Sequence, residues 1–271
     1  RSPPVALGLS EFGIRDPILC INLLLGVYFG KRINNKKQML DRLKNHPFAV
    51  KAHFDESLVI TFAVPLEQLR PLIPDSLELD SYQDKWAFIA VAAVQTSNLR
   101  PAIFPPWLGH DFFLIGYRVF VHYTTLAGKR LRGLYILRSE TDKRKMSFLG
   151  NIFTHYHYKH IDICRSRTGT TQTIQSIQAD FSVSWQTEAE QQTIPVGSPF
   201  DNWKDVRKFA GPPPHTFTYD ATKKSMLIVK GLRQDWTPQA IEITTCKVGF
   251  IDHLKLDNVV LASAFRITDV S

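Results

Sequence analysis

At 271 residues, with 44% apolar side chains and a net charge of +8, the chain is long enough to close one large core. Its longest apolar run, Ile18 to Phe29, is 12 residues long, broken by Asn22 and Gly26, and falls short of the roughly 18 that a membrane-spanning helix needs. The charge is concentrated: seven cations between Lys31 and Lys51 face only Asp41, which gives +6 and leaves +2 for the rest, too little for a nucleic-acid footprint.

Residues 11–45 show helical spacing, with Ile18, Leu19, Ile21 and Leu23 to Leu25 leading into Ile33, Met39, Leu40 and Leu43, and Pro47 ends the pattern. Two units are therefore expected, an N-terminal helical extension over residues 1–45 and a main domain over residues 46–271. The cations of the extension suit a solvated helix face; the alternative is a contact with a membrane surface or another subunit. Membrane contact is not expected of the main domain.

From His53 onward, short β-like runs alternate with Pro, Gly, Asp and Asn, the pattern of a mainly β, α+β domain. Pro65 opens a short helix with Leu66, Leu69 and Leu72 on one side, closed by Pro71 to Pro74. Trp86 to Val94 and Phe112 to Val121 are apolar at both strand parities, only Arg118 interrupting the second, so both faces of these strands are covered. Ile177 to Gln186 alternates and predicts a strand with one wet face. Further strands are expected near His215 to Tyr219, Ser225 to Lys230, Ala240 to Phe250 and Asn258 to Thr268.

Leu131 to Arg138 reads as a buried strand, and Ser139 to Asp142 fits the Ser-x-x-acid pattern that opens a helix. Met146, Leu149, Ile152 and Phe153 form its apolar stripe, and His155 to Ile163 reads as the following strand. This segment, Arg132 to His160, concentrates the reactive side chains. Lys143, Arg144 and Lys145 would occupy a helical first turn, where the dipole and neighbouring cations both favour a neutral amine. In a dry pocket such a lysine can form a Schiff base; three basic residues beside a turn are otherwise simply solvated. Glu140 and Arg138 could act as acid/base and carboxylate clamp, or pair structurally. His155 and His157 would share one strand side, with Tyr156, Tyr158 and His160 on the other, and either side suits a cavity wall. No third ligand accompanies the histidines, so no metal is expected, and no cofactor loop of the Gly-x-Gly-x-x-Gly or Gly-x-x-x-x-Gly-Lys type occurs. No Gly-x-Ser-x-Gly elbow occurs either. Cys20, Cys164 and Cys246 lie far apart without redox spacing, which suits reduced thiols in a cytoplasmic protein.

The ordered motifs Val64-Pro65-Leu66-Glu67-Gln68-Leu69-Arg70-Pro71-Leu72-Ile73-Pro74, Leu77-Glu78-Leu79-Asp80, Trp86-Ala87-Phe88, Arg100-Pro101 and Tyr117-Arg118-Val119-Phe120-Val121 resemble the uncharacterised YqjF-like bacterial proteins of the acetoacetate-decarboxylase-like superfamily. The resemblance spans roughly residues 46–163. It implies a double-layered, partly open β-barrel or cone with short flanking helices and a central cavity. In acetoacetate decarboxylase the Schiff-base lysine stands beside a second lysine after Pro; Lys143-Arg144-Lys145 departs from that setting. Three readings follow. In the first, the barrel encloses a pocket for a small carboxylate or carbonyl compound, with no reaction assigned. In the second, a lyase of decarboxylase, aldolase or dehydratase type acts on a small keto acid, with Lys143 or Lys145 as nucleophile, Glu140 as acid/base, and Arg118, Arg138, His155 and His157 around the substrate. In the third, the basic N-terminal helix docks on a partner. A homo-oligomer is compatible with all three.

Overall fold

The computed structural model describes residues 49–187, 194–210, 213–221, 223–231 and 237–270. The expected helical extension over residues 1–45 lies outside the described residues. Three long antiparallel strands form the centre: β1 (Val50–Pro65), β3 (Trp86–Pro101) and β4 (His110–Thr124). Their apolar residues at both parities are buried on both faces, as the runs Trp86 to Val94 and Phe112 to Val121 predict. Around them grows a ten-stranded sheet in the order β11-β10-β5-β4-β3-β1-β14-β12, with β2 (Leu77–Leu79) on β4 and β6 (Tyr158–His160) on β5. Here β5 is Arg130–Thr141, β10 His215–Asp220, β11 Ser225–Lys230, β12 Gln239–Ala240 and β14 Val260–Val270. A second sheet, in the order β13-β9-β8-β7, is built from β7 (Cys164–Thr168), β8 (Thr171–Ser176), β9 (Phe181–Gln186) and β13 (Glu242–Val248).

Two cores result, one on each face of the large sheet. On the first face, Ile60, Ile89, Ile115, Tyr117 and Val119 meet Ile174, Phe181, Val183 and Trp185 of the small sheet. On the second, Val59, Phe88, Ala90, Ala92, Phe120, Leu134 and Phe265 meet Phe200, Val206 and Phe209, which flank or lie on helix α3 (Trp203–Ala210). The Asn202 side chain accepts the Asp205 N–H at 3.0 Å, capping α3, and Phe209 seats its ring 4.3 Å from that of Phe88. The architecture is mainly β in two layers with short helices. It is not a closed barrel: the large sheet ends at β11 and β12, which do not pair among the described residues.

The short helix after Pro65 forms as expected: α1 (Leu66–Leu69) runs into a 3₁₀ turn over Arg70–Leu72 and buries Leu69. Two expected elements are shorter. The alternating run from Ile177 becomes strand only at Phe181, because Asp162 folds residues 177–180 into a turn: its carboxylate accepts the Ser176 hydroxyl at 2.6 Å and the Gln178 N–H at 2.9 Å. The run Ala240 to Phe250 ends in a helix, α4 (Gly249–His253).

The segment Arg132 to His160 is strand, helix, strand in outline, with α2 (Arg144–Phe153) crossing from β5 to β6. β6 runs parallel to β5, pairing Ser139 with Tyr158 and Thr141 with His160, as a helical crossover permits. The helix start differs from the Ser139 to Asp142 reading. Ser139, Glu140 and Thr141 remain in β5 and are buried; Lys143 takes the cap position without a capping side chain. Asp142 is diverted instead: its Oδ1 accepts the Phe113 N–H of β4 at 2.8 Å. The strand expected from His155 is confined to Tyr158–His160, because Thr154 ends α2 by donating both N–H and hydroxyl to the Gly150 carbonyl and residues 155–156 bend. His157 has φ +53°, so the period-two side assignment of His155 and His157 does not apply.

Candidate functional site: a buried arginine and a row of hydroxyls

Paired residues of neighbouring strands share a face, so the strand register places side chains without further assumption. One row on the second face reads Ser263, Thr61, Ala90, Arg118 and Ile136 across β14, β1, β3, β4 and β5. The adjacent row reads Phe265, Val59, Ala92, Gly116, Ser139 and Tyr158. Arg118 thus stands in a sheet otherwise apolar at its centre, with alanine and glycine around it.

The Arg118 side chain turns back along its own strand. A Cβ at position 116 would lie 3.1 Å from both Nε and Nη2, so the guanidinium is laid directly over the Gly116 backbone. Its Nε is sealed from solvent and has no hydrogen-bond partner among the described residues, although part of the side chain remains accessible. Among the described residues no carboxylate forms an ion pair with it. Burial pushes the guanidinium below the ordinary arginine value, and the neighbouring Tyr156 and Tyr158 act the other way. A cation taken from water without a counter-charge costs several kcal/mol, so the arrangement stores free energy that an anion would release. Two more polar atoms of the same row are sealed and unpartnered: Thr61 Oγ1 and Ser263 Oγ, each on a fully buried residue. Buried polar groups are nearly always satisfied, and these three exceptions share one row.

Tyr158 closes the far end of the second row. The Asn151 amide grips its backbone twice, donating to the carbonyl and accepting the N–H at 2.8 Å each, and the Ser147 hydroxyl adds a bond at 3.2 Å. A Cβ on Gly150 would fall 2.3 Å from the Tyr158 ring, so α2 can approach the ring this closely only with glycine there. Burial, then Tyr156, pushes the Tyr158 phenol far up, and burial with Glu140 does the same to Tyr117. The sign of the consequence is fixed. Their folded values exceed the ~10 of an unfolded tyrosine, so their contribution to stability is complete below about pH 10 and falls as pH rises. In an alkaline titration followed at 295 nm, two of the eight tyrosines should ionise only on unfolding. Eight tyrosines titrating together near pH 10 with unchanged circular dichroism would contradict this placement.

On the reverse face of the same strands lies a satisfied ionic network. Tyr117 donates its hydroxyl to Glu140 Oε2 at 2.8 Å, and Arg138 Nη2 meets Glu140 Oε1 at 2.8 Å. Phe250 packs on both, 4.3 Å from the Tyr117 ring and 5.5 Å below the Arg138 guanidinium. Sequence reasoning joined Arg138 and Glu140 correctly as neighbours but grouped them with Arg118, which faces the other way.

The lysines are elsewhere. Lys143 and Lys145 are exposed, and the Lys143 amine pairs with Asp142 at 3.3 Å. The dry pocket required for a Schiff-base amine does not surround either of them. His157 is exposed and His155 half-buried, on a bend rather than a common strand. Among the described residues no group of three or more His, Cys, Asp or Glu is placed to hold a metal, and no helix is long and apolar enough to cross a membrane. Thr61, Ser263 and Gly116 were not singled out by sequence. The available signal was small: a hydroxyl, or a residue without a side chain, inside strands apolar at both parities.

Comparison with known proteins gives the fold a context. No curated protein matches the chain. Among solved structures it is similar to an acetoacetate decarboxylase-like enzyme from Sphingomonas wittichii RW1, at 13% identity and TM-score 0.51, covering 82% of this chain and 92% of that one. It is also similar to the acetoacetate decarboxylase of Legionella pneumophila, at 13% identity and TM-score 0.48, covering 100% and 95%. Identities this low speak to fold alone, and the fold assignment rests on the Sphingomonas structure together with the topology above. The family model of DUF2071, described as an uncharacterized conserved protein, matches residues 51–265, four-fifths of the chain, and the chain belongs to that family.

Proposed function

We propose that the protein binds a small organic carboxylate on the second face of its large sheet, with Arg118 as the charged anchor. One observation supports this most directly: a guanidinium with a sealed, unpartnered Nε and no carboxylate beside it among the described residues. A planar carboxylate suits this group because it can accept two parallel N–H bonds from the fork. Gly116 keeps the guanidinium flat against the sheet, and Tyr156 and Tyr158 supply phenols beside it. Arg138 and Glu140 neutralise one another and are assigned to holding the strands, not to the ligand. The lyase reading needs a buried amine, and neither Lys143 nor Lys145 is one; no reaction is assigned.

Isothermal titration with acetate, pyruvate and hexanoate tests the proposal, using the wild type and Arg118→Gln. Binding of at least one carboxylate that weakens tenfold or more in the variant is the expected result. Equal binding by both proteins would refute it. Borohydride treatment with pyruvate, read by intact mass, tests the competing chemistry, and an adduct at Lys143 or Lys145 would revive the Schiff-base enzyme.

A further inference from the structure

The first face of the large sheet carries an open cavity that the carboxylate site does not use. It lies where the two sheets are joined: β13 of the small sheet runs into α4, and residues 254–259 return the chain to β14 of the large one. Phe62 and Leu261, paired across β1 and β14, line it together with Val248 and Leu256. The space measures about 390 Å³, within the roughly 300–1,000 Å³ of small-molecule sites. Its wall is tied in place at both ends. The Gly249 N–H donates to the Asp180 carbonyl at 3.0 Å, and the Gln68 side chain of α1 grips the Asp257 backbone twice, donating to its carbonyl at 3.2 Å and accepting its N–H at 2.7 Å. A ligand therefore meets a wall that is already ordered.

Two polar side chains interrupt the apolar lining, the Cys246 thiol and the Asp252 carboxylate. Burial, then Asp252, pushes the thiol up to about 11, so it stays protonated near neutral pH and is no nucleophile. Asp252 is exposed, and among the described residues its carboxylate has no hydrogen bond and no ion pair. The nearby Lys247 amine is taken by Asp180. An apolar space with one uncommitted anion at its mouth complements an apolar body with one cation. We infer that the cavity binds a small apolar amine, its ammonium donating to Asp252 and its hydrocarbon body lying against Phe62, Leu256 and Leu261. Burial of the hydrocarbon supplies most of the affinity; the carboxylate selects the charge. Arg118 takes no part, since it lies on the opposite face.

Cys246 provides the readout. Its modification by methyl methanethiosulfonate is followed by peptide mass analysis with hexylamine, 1-hexanol or hexanoate present, and exposed Cys164 serves as the internal control. A ligand that covers the thiol slows its modification about tenfold at ten times its Kd. Hexylamine should protect Cys246 and not Cys164, with an affinity about fivefold above that of 1-hexanol, the upper end for a solvent-screened pair. Hexanoate should protect least. In Asp252→Asn, hexylamine should fall to the level of 1-hexanol while 1-hexanol protects as before; if that variant does not fold, the ranking in the wild type decides. Arg118→Gln should leave hexylamine protection unchanged, which keeps this site separate from the carboxylate site. Equal protection by hexylamine and hexanoate, full hexylamine protection in Asp252→Asn, or no protection by any of the three overturns the inference.

Discussion

Replacing Arg118 with methionine should raise the melting temperature of the ligand-free protein while weakening carboxylate binding about a hundredfold. The two effects have one origin. A guanidinium held against a sheet without a counter-ion is an unfavourable element of the free fold, and an apolar side chain of similar length removes that cost. Replacing buried ionic groups by apolar ones of similar volume stabilises by about 1–4 kcal/mol in favourable cases. Since part of Arg118 remains accessible, the lower half of that range applies here. At about 2–4 °C per kcal/mol for a domain of this size, the shift is measurable by differential scanning calorimetry. Binding loses two charge-assisted hydrogen bonds, each contributing about 1.5–3 kcal/mol, and a hundredfold is about 2.7 kcal/mol. A structural arginine behaves in the opposite way: its methionine variant melts lower and no ligand distinguishes the two. If the variant is destabilised by more than 1 °C, the reading of Arg118 as an uncompensated charge is wrong.

This opposition also explains which parts of the fold could be read from sequence. The central strands were legible because burial on both faces leaves an unmistakable mark, a run apolar at both parities, and β3 and β4 appear where such runs stand. The same rule exposes Arg118, the one ion inside such a run. Turn chemistry was less legible. Ser139 to Asp142 has the spacing of a helix start, yet Asp142 is taken by the Phe113 N–H of a neighbouring strand, a partner 29 residues away in sequence. Local spacing does not contain that competition. His155 and His157 failed for a related reason. A two-residue period holds only in extended chain, and the left-handed backbone of His157 follows from how Thr154 closes α2. The hydroxyl row was the least legible feature. Thr61, Ala90, Arg118 and Ser263 come from four strands, and only the register aligns them.

Register at the site is itself held by a device that can be tested. The β4–β5 ladder slips between Tyr117 and Arg118: Tyr117 pairs with Arg138 and Arg118 with Ile136, so Leu137 is the extra residue of a bulge. The Tyr117–Glu140–Arg138 network sits on the reverse face beside this slip and ties β4 to β5 on its Tyr117 side. Arg138→Ala should destabilise the protein by about 2–4 kcal/mol at pH 8, below the largest losses for buried pairs because Arg138 is 29% exposed. Glu140, at 1%, is then a buried carboxylate with one phenol for company. Glu140→Gln should cost less, about 1–2 kcal/mol, since the amide oxygen still accepts from Tyr117 and Arg138 can turn toward water. Urea denaturation of both variants at pH 8 measures the difference. Equal losses would mean that the network is not what holds the bulge. If it does hold it, Arg138→Ala also weakens carboxylate binding on the opposite face, where no atom of Arg138 reaches, because Arg118 and Ser139 take their positions from the same two strands.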